Sequence, residues 1–94
     1  MQMTQDQAET LALQALGWLA ANDELLPVFL GASGAALEDL RARADEPGFL
    51  LSVLEFLTMD DAWVMAFCDA HALPYTAPMQ ACQALPGGAQ THWT

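Results

Sequence analysis

Apolar side chains recur along this chain at the spacing of helices. Alternating β-branched runs, which mark strands, are absent, while Ala, Leu, Met, Gln and Glu, all good helix formers, dominate. Thr4 is a suitable N-cap for a first helix that we expect to end near Asn22. One apolar stripe on this helix is formed by Ala8, Leu11, Ala12, Ala15, Leu16 and Leu19. The pattern therefore predicts helices throughout.

Two short helices are predicted next. Asn22 and the two acids after it form a typical cap and first turn, and the helix that follows is expected to stop at Gly31. Residues 31–34, Gly-Ala-Ser-Gly, are predicted to be a flexible corner. A third short helix over 37–44 carries acids early and two arginines late, which suits the helix dipole.

Two strongly apolar segments predict a central hairpin. Pro47 lies near the first helical position of a helix over 49–58, and Asp60 caps a helix over 62–70. Both segments are apolar nearly all round, which is typical of helices at the centre of a domain or at an interface.

A last helix begins near Thr76 and Pro78, and Leu85-Pro-Gly-Gly88 ends it. Since one core usually carries on the order of 100 residues, we expect a single domain over 1–88 and a loose tail over 89–94. The expected fold is all-α: a compact orthogonal bundle of about five or six short helices with the apolar hairpin at its centre.

Basic residues are scarce. The 94 residues include 12 acids and two basic residues, Arg41 and Arg43, for a net charge of -10. Without a basic stripe, and without an apolar run of about 20 residues, we expect no nucleic-acid partner and no membrane association. The absence of lysine excludes P-loop, Schiff-base and lysine-tethered cofactor chemistry.

The two cysteines, Cys68 and Cys82, do not form the dense disulfide framework of a small secreted scaffold. The first residues also lack a basic region followed by an apolar run, the pattern of a secretion signal. A reducing compartment suits both observations, so we expect a cytoplasmic protein.

Four adjacent acid pairs resemble a carboxylate site, but each falls at a predicted helix start. There a carboxylate accepts backbone N–H bonds and complements the helix dipole, so we interpret the pairs as caps. The pairs are Asp23-Glu24, Glu38-Asp39, Asp45-Glu46 and Asp60-Asp61.

Cys68, His71, Cys82 and His92 supply the ligand types of a tetrahedral zinc ion. Cys68 and His71 lie three residues apart on one helix face, but Cys82 and His92 are separated by a proline–glycine break. We favour a buried small cysteine and a surface histidine, and we expect no metal and no cofactor. A small-ligand or metal site near Cys68 and His71, between the two hairpin helices, is the alternative function.

Ser33 invites comparison with acyl carrier proteins, in which phosphopantetheine is attached to a serine at a helix entrance. The surrounding sequence, Leu30-Gly-Ala-Ser-Gly-Ala35, lacks the Asp-Ser-Leu triplet of carriers, and the helix predicted after it is short. A helix C-cap and a following N-cap explain Gly31 and Ser33 more simply. A carrier modified at Ser33 is therefore a minor alternative.

The tryptophans predict an interface. Trp18 and Trp63 lie on apolar helices and belong most simply to the core, whereas Trp93 follows the proline–glycine break. Trp93 either folds back onto the domain or anchors a partner. The tryptophans and Met59 add up to more apolar surface than one small core can cover. We therefore predict an interface formed by Trp63, Met59 and Trp93.

The order of helices and breaks also matches a known pattern. It is carried by residues 11–20, 25–34, 37–44 and 49–70, the last with Asp60-Asp61 and Phe67-Cys68-Asp69. In these segments the chain resembles domain-of-unknown-function family 3572, short alphaproteobacterial proteins. The resemblance implies a bacterial cytoplasmic protein and transfers no site residues. In the family pattern a glycine stands where this chain has Ala72, and an aspartate where it has Glu46.

The main hypothesis follows from two observations: the chain has more apolar side chains than one core can bury, and its sequence contains no catalytic motif. We expect a non-enzymatic protein–protein interaction module, either a homo-oligomer or an adaptor. The partner is another copy of the chain or an unknown protein with a basic surface, and the acidic exterior would steer the chain toward a basic surface.

Overall fold

The computed structural model describes residues 3–86, which form six α-helices and no strand. The helices are α1 (Gln5–Ala20), α2 (Leu25–Ser33), α3 (Asp39–Ala42), α4 (Pro47–Leu57), α5 (Asp61–His71) and α6 (Ala77–Ala84). The prediction of an all-α fold with five or six short helices is confirmed. The predicted tail over 89–94, with His92 and Trp93, lies outside the described residues.

α1 begins at a capping box. The Thr4 hydroxyl accepts the N–H of Gln7 at 3.1 Å, and the Gln7 side-chain oxygen accepts the N–H of Thr4 at 3.0 Å. Two N–H groups at the helix start are thereby satisfied. All six members of the predicted apolar stripe are buried, so both the cap and the buried face of α1 were predicted correctly.

α4 lies at the centre of the bundle. Seven of its 11 residues are buried, and it packs against α1, α2 and α6. Phe29 of α2 contacts Phe49 and Phe56 of α4 edge to face, with ring centroids 6.1 and 5.3 Å apart. Edge-to-face pairs of this kind add about 0.5–1.5 kcal/mol to the burial itself.

α5 lies at the rim of the bundle. It buries only Phe67 and Cys68, while Met65 is exposed. Trp18 of α1 contacts Phe67 edge to face at 6.0 Å, and Trp63 stacks on Phe56 at 4.8 Å. α4 and α5 follow each other in sequence as predicted, but α4 is buried at the centre, whereas α5 does not pack closely along it.

α6 packs against α1 and α4, and its buried residues are Ala77, Pro78 and Ala81. Short side chains on this face let α6 approach the two longer helices closely. α6 therefore covers part of the core, although its sequence is only modestly hydrophobic and did not predict this role.

α2 continues to Ser33, so the predicted stop at Gly31 and the flexible corner over 31–34 are wrong. Gly34 ends the helix: its φ is 74°, and its N–H donates to the Leu30 carbonyl at 3.0 Å. A glycine inside a helix weakens it by about 1 kcal/mol without ending it, whereas the left-handed conformation reverses the chain direction. The predicted cap at Asn22 is confirmed, because its side-chain oxygen accepts the N–H groups of Glu24 and Leu25.

The acid pairs cap helices less often than predicted. Asp60 accepts the N–H of Ala62 at 2.8 Å and is a cap, as expected. The side chains of Glu24 and Glu46 make no cap bond, so the prediction is wrong for them. The Asn22 side chain already accepts the N–H groups of Glu24 and Leu25. The Glu46 carboxylate is instead paired with Arg43 at 3.1 Å.

A groove between α1 and α3 as candidate functional site

An apolar groove open to solvent runs between α1 and the segment over 37–45 that contains α3. Its larger part has a volume of about 740 Å³ and is lined by Leu13, Leu16, Gly17, Ala20, Leu37, Glu38, Leu40 and Arg41. A second part of about 440 Å³ shares Leu13 and Arg41 and adds Glu9, Ala42, Ala44, Asp45 and Leu50. Because the two parts share residues, we treat them as one feature, the α1–α3 groove.

One face of α1 forms the first wall. Glu9, Leu13, Gly17 and Ala20 follow each other at three- and four-residue intervals, beside the buried stripe. At 1.5 Å per residue this face is about 16 Å long, or about three helical turns.

The α3 segment forms the second wall. α3 has only four residues, and its Leu40 is buried against the core. Asp39 accepts the N–H of Ala36 at 2.9 Å and so holds the turn that precedes the helix. Leu37 in this turn is 60% exposed, and Leu13 on the α1 wall is 45% exposed. The groove therefore has an exposed leucine on each side.

Gly17 leaves space in the α1 wall between Leu13 and Ala20. A Cβ atom at this position would meet no heavy atom of its surroundings within 4 Å. A glycine inside a helix is about 1 kcal/mol less favourable than alanine, so packing within residues 3–86 does not explain it. The space over Gly17 belongs to the groove.

Charges surround the groove unevenly. Glu9, Glu38 and Asp45 line it, and Arg41 lines both of its parts. Among residues 3–86 Arg41 makes no ion pair, whereas Arg43 is paired with Glu46. The groove thus offers one cation among three carboxylates.

Cys68 is fully buried, and its thiol donates to the Pro74 carbonyl at 3.4 Å. Burial raises the pKa of the Cys68 thiol, and the charge of Asp69 raises it further. His71 is exposed at the end of α5, with its ring centroid 4.8 Å from that of Phe67. In the part of the chain that the structure describes, no three His, Cys, Asp or Glu residues come together as a metal site.

Cys82 is half-buried on α6. Burial raises the pKa of its thiol to about 11, and the nearby charge of Glu55 acts in the same direction. A nucleophilic cysteine needs a lowered pKa, because the thiolate is the reactive form. Both cysteines have the opposite shift.

Ser33 is the last residue of α2 and is exposed. Its hydroxyl accepts the N–H of Ala35 at 3.2 Å. It therefore lies at a helix exit, whereas the carrier alternative requires a helix entrance.

Two of the three predicted interface residues lie together near the turn between α4 and α5. Met59 is exposed, and Trp63 is half-buried against Phe56. Trp93 lies outside the described residues. The α1–α3 groove was not predicted, although two features of the sequence point to it: Gly17 inside a helix, and Leu13 outside the apolar stripe.

Comparison with known proteins identifies a family. A family model described as "Protein of unknown function (DUF3572)" matches residues 5–88. No curated protein and no solved structure matches the chain. Over residues 3–86, no helix is long and apolar enough to cross a membrane.

Proposed function

Since the chain belongs to DUF3572, a family described as having unknown function, we propose its function from its own surface. It is a non-enzymatic interaction module that binds a different protein through the α1–α3 groove. The observation that carries this proposal is the open apolar groove, with Leu13 and Leu37 exposed on its two walls. Burying one leucine contributes about 1.5–3 kcal/mol, so both side chains favour a partner that covers them.

The shape of the groove favours a protein partner over a small molecule. Small-molecule sites are concave and bury about 70–90% of their ligand. This groove is shallow at its edges, since Leu37 on its wall is 60% exposed. A long open surface of this kind suits a segment of another protein, which needs contact on one side only.

The charge of the chain favours a different protein over a second copy. Each chain has a net charge of -10, so two copies would bring surfaces of equal negative charge together. A partner with a basic surface would instead be attracted before contact. We place this interaction in the bacterial cytoplasm, where the two free cysteines would stay reduced.

Site-specific photo-crosslinking tests the proposal. A photoreactive amino acid replaces Leu37 in the groove or, as a control, Met79 on α6; both native side chains are 60% exposed. In cells of the source organism, we expect one dominant crosslinked protein from position 37 and not from position 79. Equal products from both positions, or none from position 37, would contradict the proposal. If position 37 crosslinks a second copy of this chain, the chain is a homo-oligomer and the proposal of a different protein partner is wrong.

A further inference from the structure

We propose that the segment bound in the α1–α3 groove is a basic amphipathic helix of about three turns that lies along α1 with its apolar side chains over Gly17. This inference rests on the proposed function and names the chemistry of the partner. It follows from three features of the groove: its length, the space at Gly17 and the distribution of charge.

Length and depth suit a helix. The α1 wall from Glu9 to Ala20 is about 16 Å long, which matches about three turns. A bound helix places apolar residues at intervals of three and four on one side, and such a stripe contacts Leu13 and Leu37 together. Small residues let two helix backbones approach, and the open space at Gly17 lies within the wall, between Leu13 and Ala20.

Charge makes the bound helix basic. Glu9, Glu38 and Asp45 line the groove, and the whole chain carries a net charge of -10. Lysines or arginines flanking the apolar stripe would lie near these carboxylates and would speed association. Arg41, which lines both parts of the groove, repels a basic residue placed opposite it. That repulsion allows some registers of the bound helix and disfavours others.

A synthetic peptide tests the chemistry directly. The probe is a blocked Leu/Lys peptide of about 14 residues with leucines at helical spacing, long enough for the groove. Two controls are the same peptide with Glu for Lys and a shuffled Leu/Lys peptide that has no apolar stripe. With the full chain labelled for NMR, we expect the Leu/Lys probe to shift the amides of Leu13, Gly17 and Leu37. Neither control should bind there.

Two glycine variants separate the groove from the overall charge. Gly17 and Gly31 are both exposed within helices, and a Cβ at either meets no heavy atom within 4 Å. Gly17→Arg and Gly31→Arg change the net charge equally, but only the first places a side chain in the groove. We expect Gly17→Arg to weaken probe binding by at least about tenfold, or ~1.4 kcal/mol, and Gly31→Arg by less than about threefold.

Circular dichroism establishes that both variants are folded before binding is compared. Equal weakening in the two variants, shifts located away from the groove, or equal binding of the Leu/Glu peptide would overturn the inference. If position 37 crosslinks a protein but the Leu/Lys probe does not bind, the basic helix is wrong and the interaction module stands. If neither occurs, both proposals fail.

Discussion

Ala72 has a backbone conformation that its side chain disfavours. Its φ is 55° and its ψ is 44°, and it is the one non-glycine residue with positive φ among residues 3–86. The N–H groups of Ala72 and Leu73 both donate to the Cys68 carbonyl, which ends α5 ahead of Pro74. The left-handed conformation costs an L-residue about 1–2 kcal/mol, and a glycine avoids this cost.

We therefore expect Ala72→Gly to raise the free energy of unfolding by about 0.5–1 kcal/mol, after the added entropy of the unfolded chain is subtracted. Ala66→Gly is the control, because Ala66 is exposed within the same helix. That variant should lower the free energy of unfolding by about 1 kcal/mol. Urea titration measures both, and a loss of stability in Ala72→Gly would be inconsistent with the left-handed cap.

The Cys82 thiol should react slowly with alkylating reagents. Its pKa is raised from 9.0 to about 11, so at pH 8 the thiolate fraction is about 100-fold below that of an ordinary cysteine. The alkylation rate should rise about tenfold per pH unit up to about pH 10. Mass spectrometry distinguishes Cys82 from Cys68, and the urea-unfolded chain is the control. A folded-state rate that levels off near pH 9 would contradict the shift.

The end of α2 can be tested with two glycines. Gly31 has a helical conformation, whereas Gly34 has a φ of 74°. Gly31→Ala should therefore raise the free energy of unfolding by up to about 1 kcal/mol, because alanine favours a helix interior. Gly34→Ala should lower it by about 1 kcal/mol, because its Cβ is strained at positive φ. Chemical denaturation of both variants provides the measurement. If Gly34→Ala were the more stable variant, the helix would end at Gly31 and not at Gly34.

The sequence predicts elements well where the signal is local. The cap at Thr4 and the buried face of α1 depend on residues within a few turns of each other, and both were predicted correctly. The end of α2 was not, because Gly31 and Gly34 are the same residue type and only the tertiary fold determines which one takes positive φ. The position of α5 at the rim was not predicted either, because it also depends on the tertiary fold. The composition of α5 is apolar and favours a central helix, but α6 covers that part of the core instead.

The groove could not be derived from local patterns. Its two walls are about 20 residues apart in sequence, and the turn that presents Leu37 depends on the Asp39 side chain. The Met59 and Trp63 interface was inferred from apolar excess alone, which does not say where uncovered apolar surface lies. Gly17 lies in the α1 wall, but Gly31 is a helical glycine with the same open space and lies outside the groove, so a glycine in a helix does not locate the groove by itself.

Charge repulsion acts over the whole molecule. The described residues extend 34 × 28 × 24 Å, and Arg43–Glu46 is the one ion pair among them. At 0.01 M salt the screening length is about 30 Å, so acids on opposite sides repel each other, while at 0.1 M it is about 10 Å. The net charge of -10 should therefore destabilise the protein most in dilute buffer.

We expect the melting temperature to rise by a few degrees, about 2–8 °C, between 0.01 and 0.2 M sodium chloride. A variant with Asp23→Lys and Glu24→Lys should have a smaller rise, because both side chains are exposed and the net charge becomes -6. Differential scanning calorimetry at constant pH measures the effect. A melting temperature independent of salt, or an equal rise in the variant, would mean that repulsion is negligible.

The α3 wall also makes the chain a selective substrate for trypsin. Lysine is absent, so the two bonds that trypsin recognises follow Arg41 and Arg43. Arg41 lines the groove, and Arg43 is paired with Glu46 and lies 5.0 Å from the centroid of the Phe49 ring. Proteolysis of a folded chain requires local opening, so the cleavage rate measures how often this wall detaches from the core. A partner bound in the groove would slow cleavage at these two bonds until its own basic residues were cut, so the initial rate of digestion would record its presence without any label.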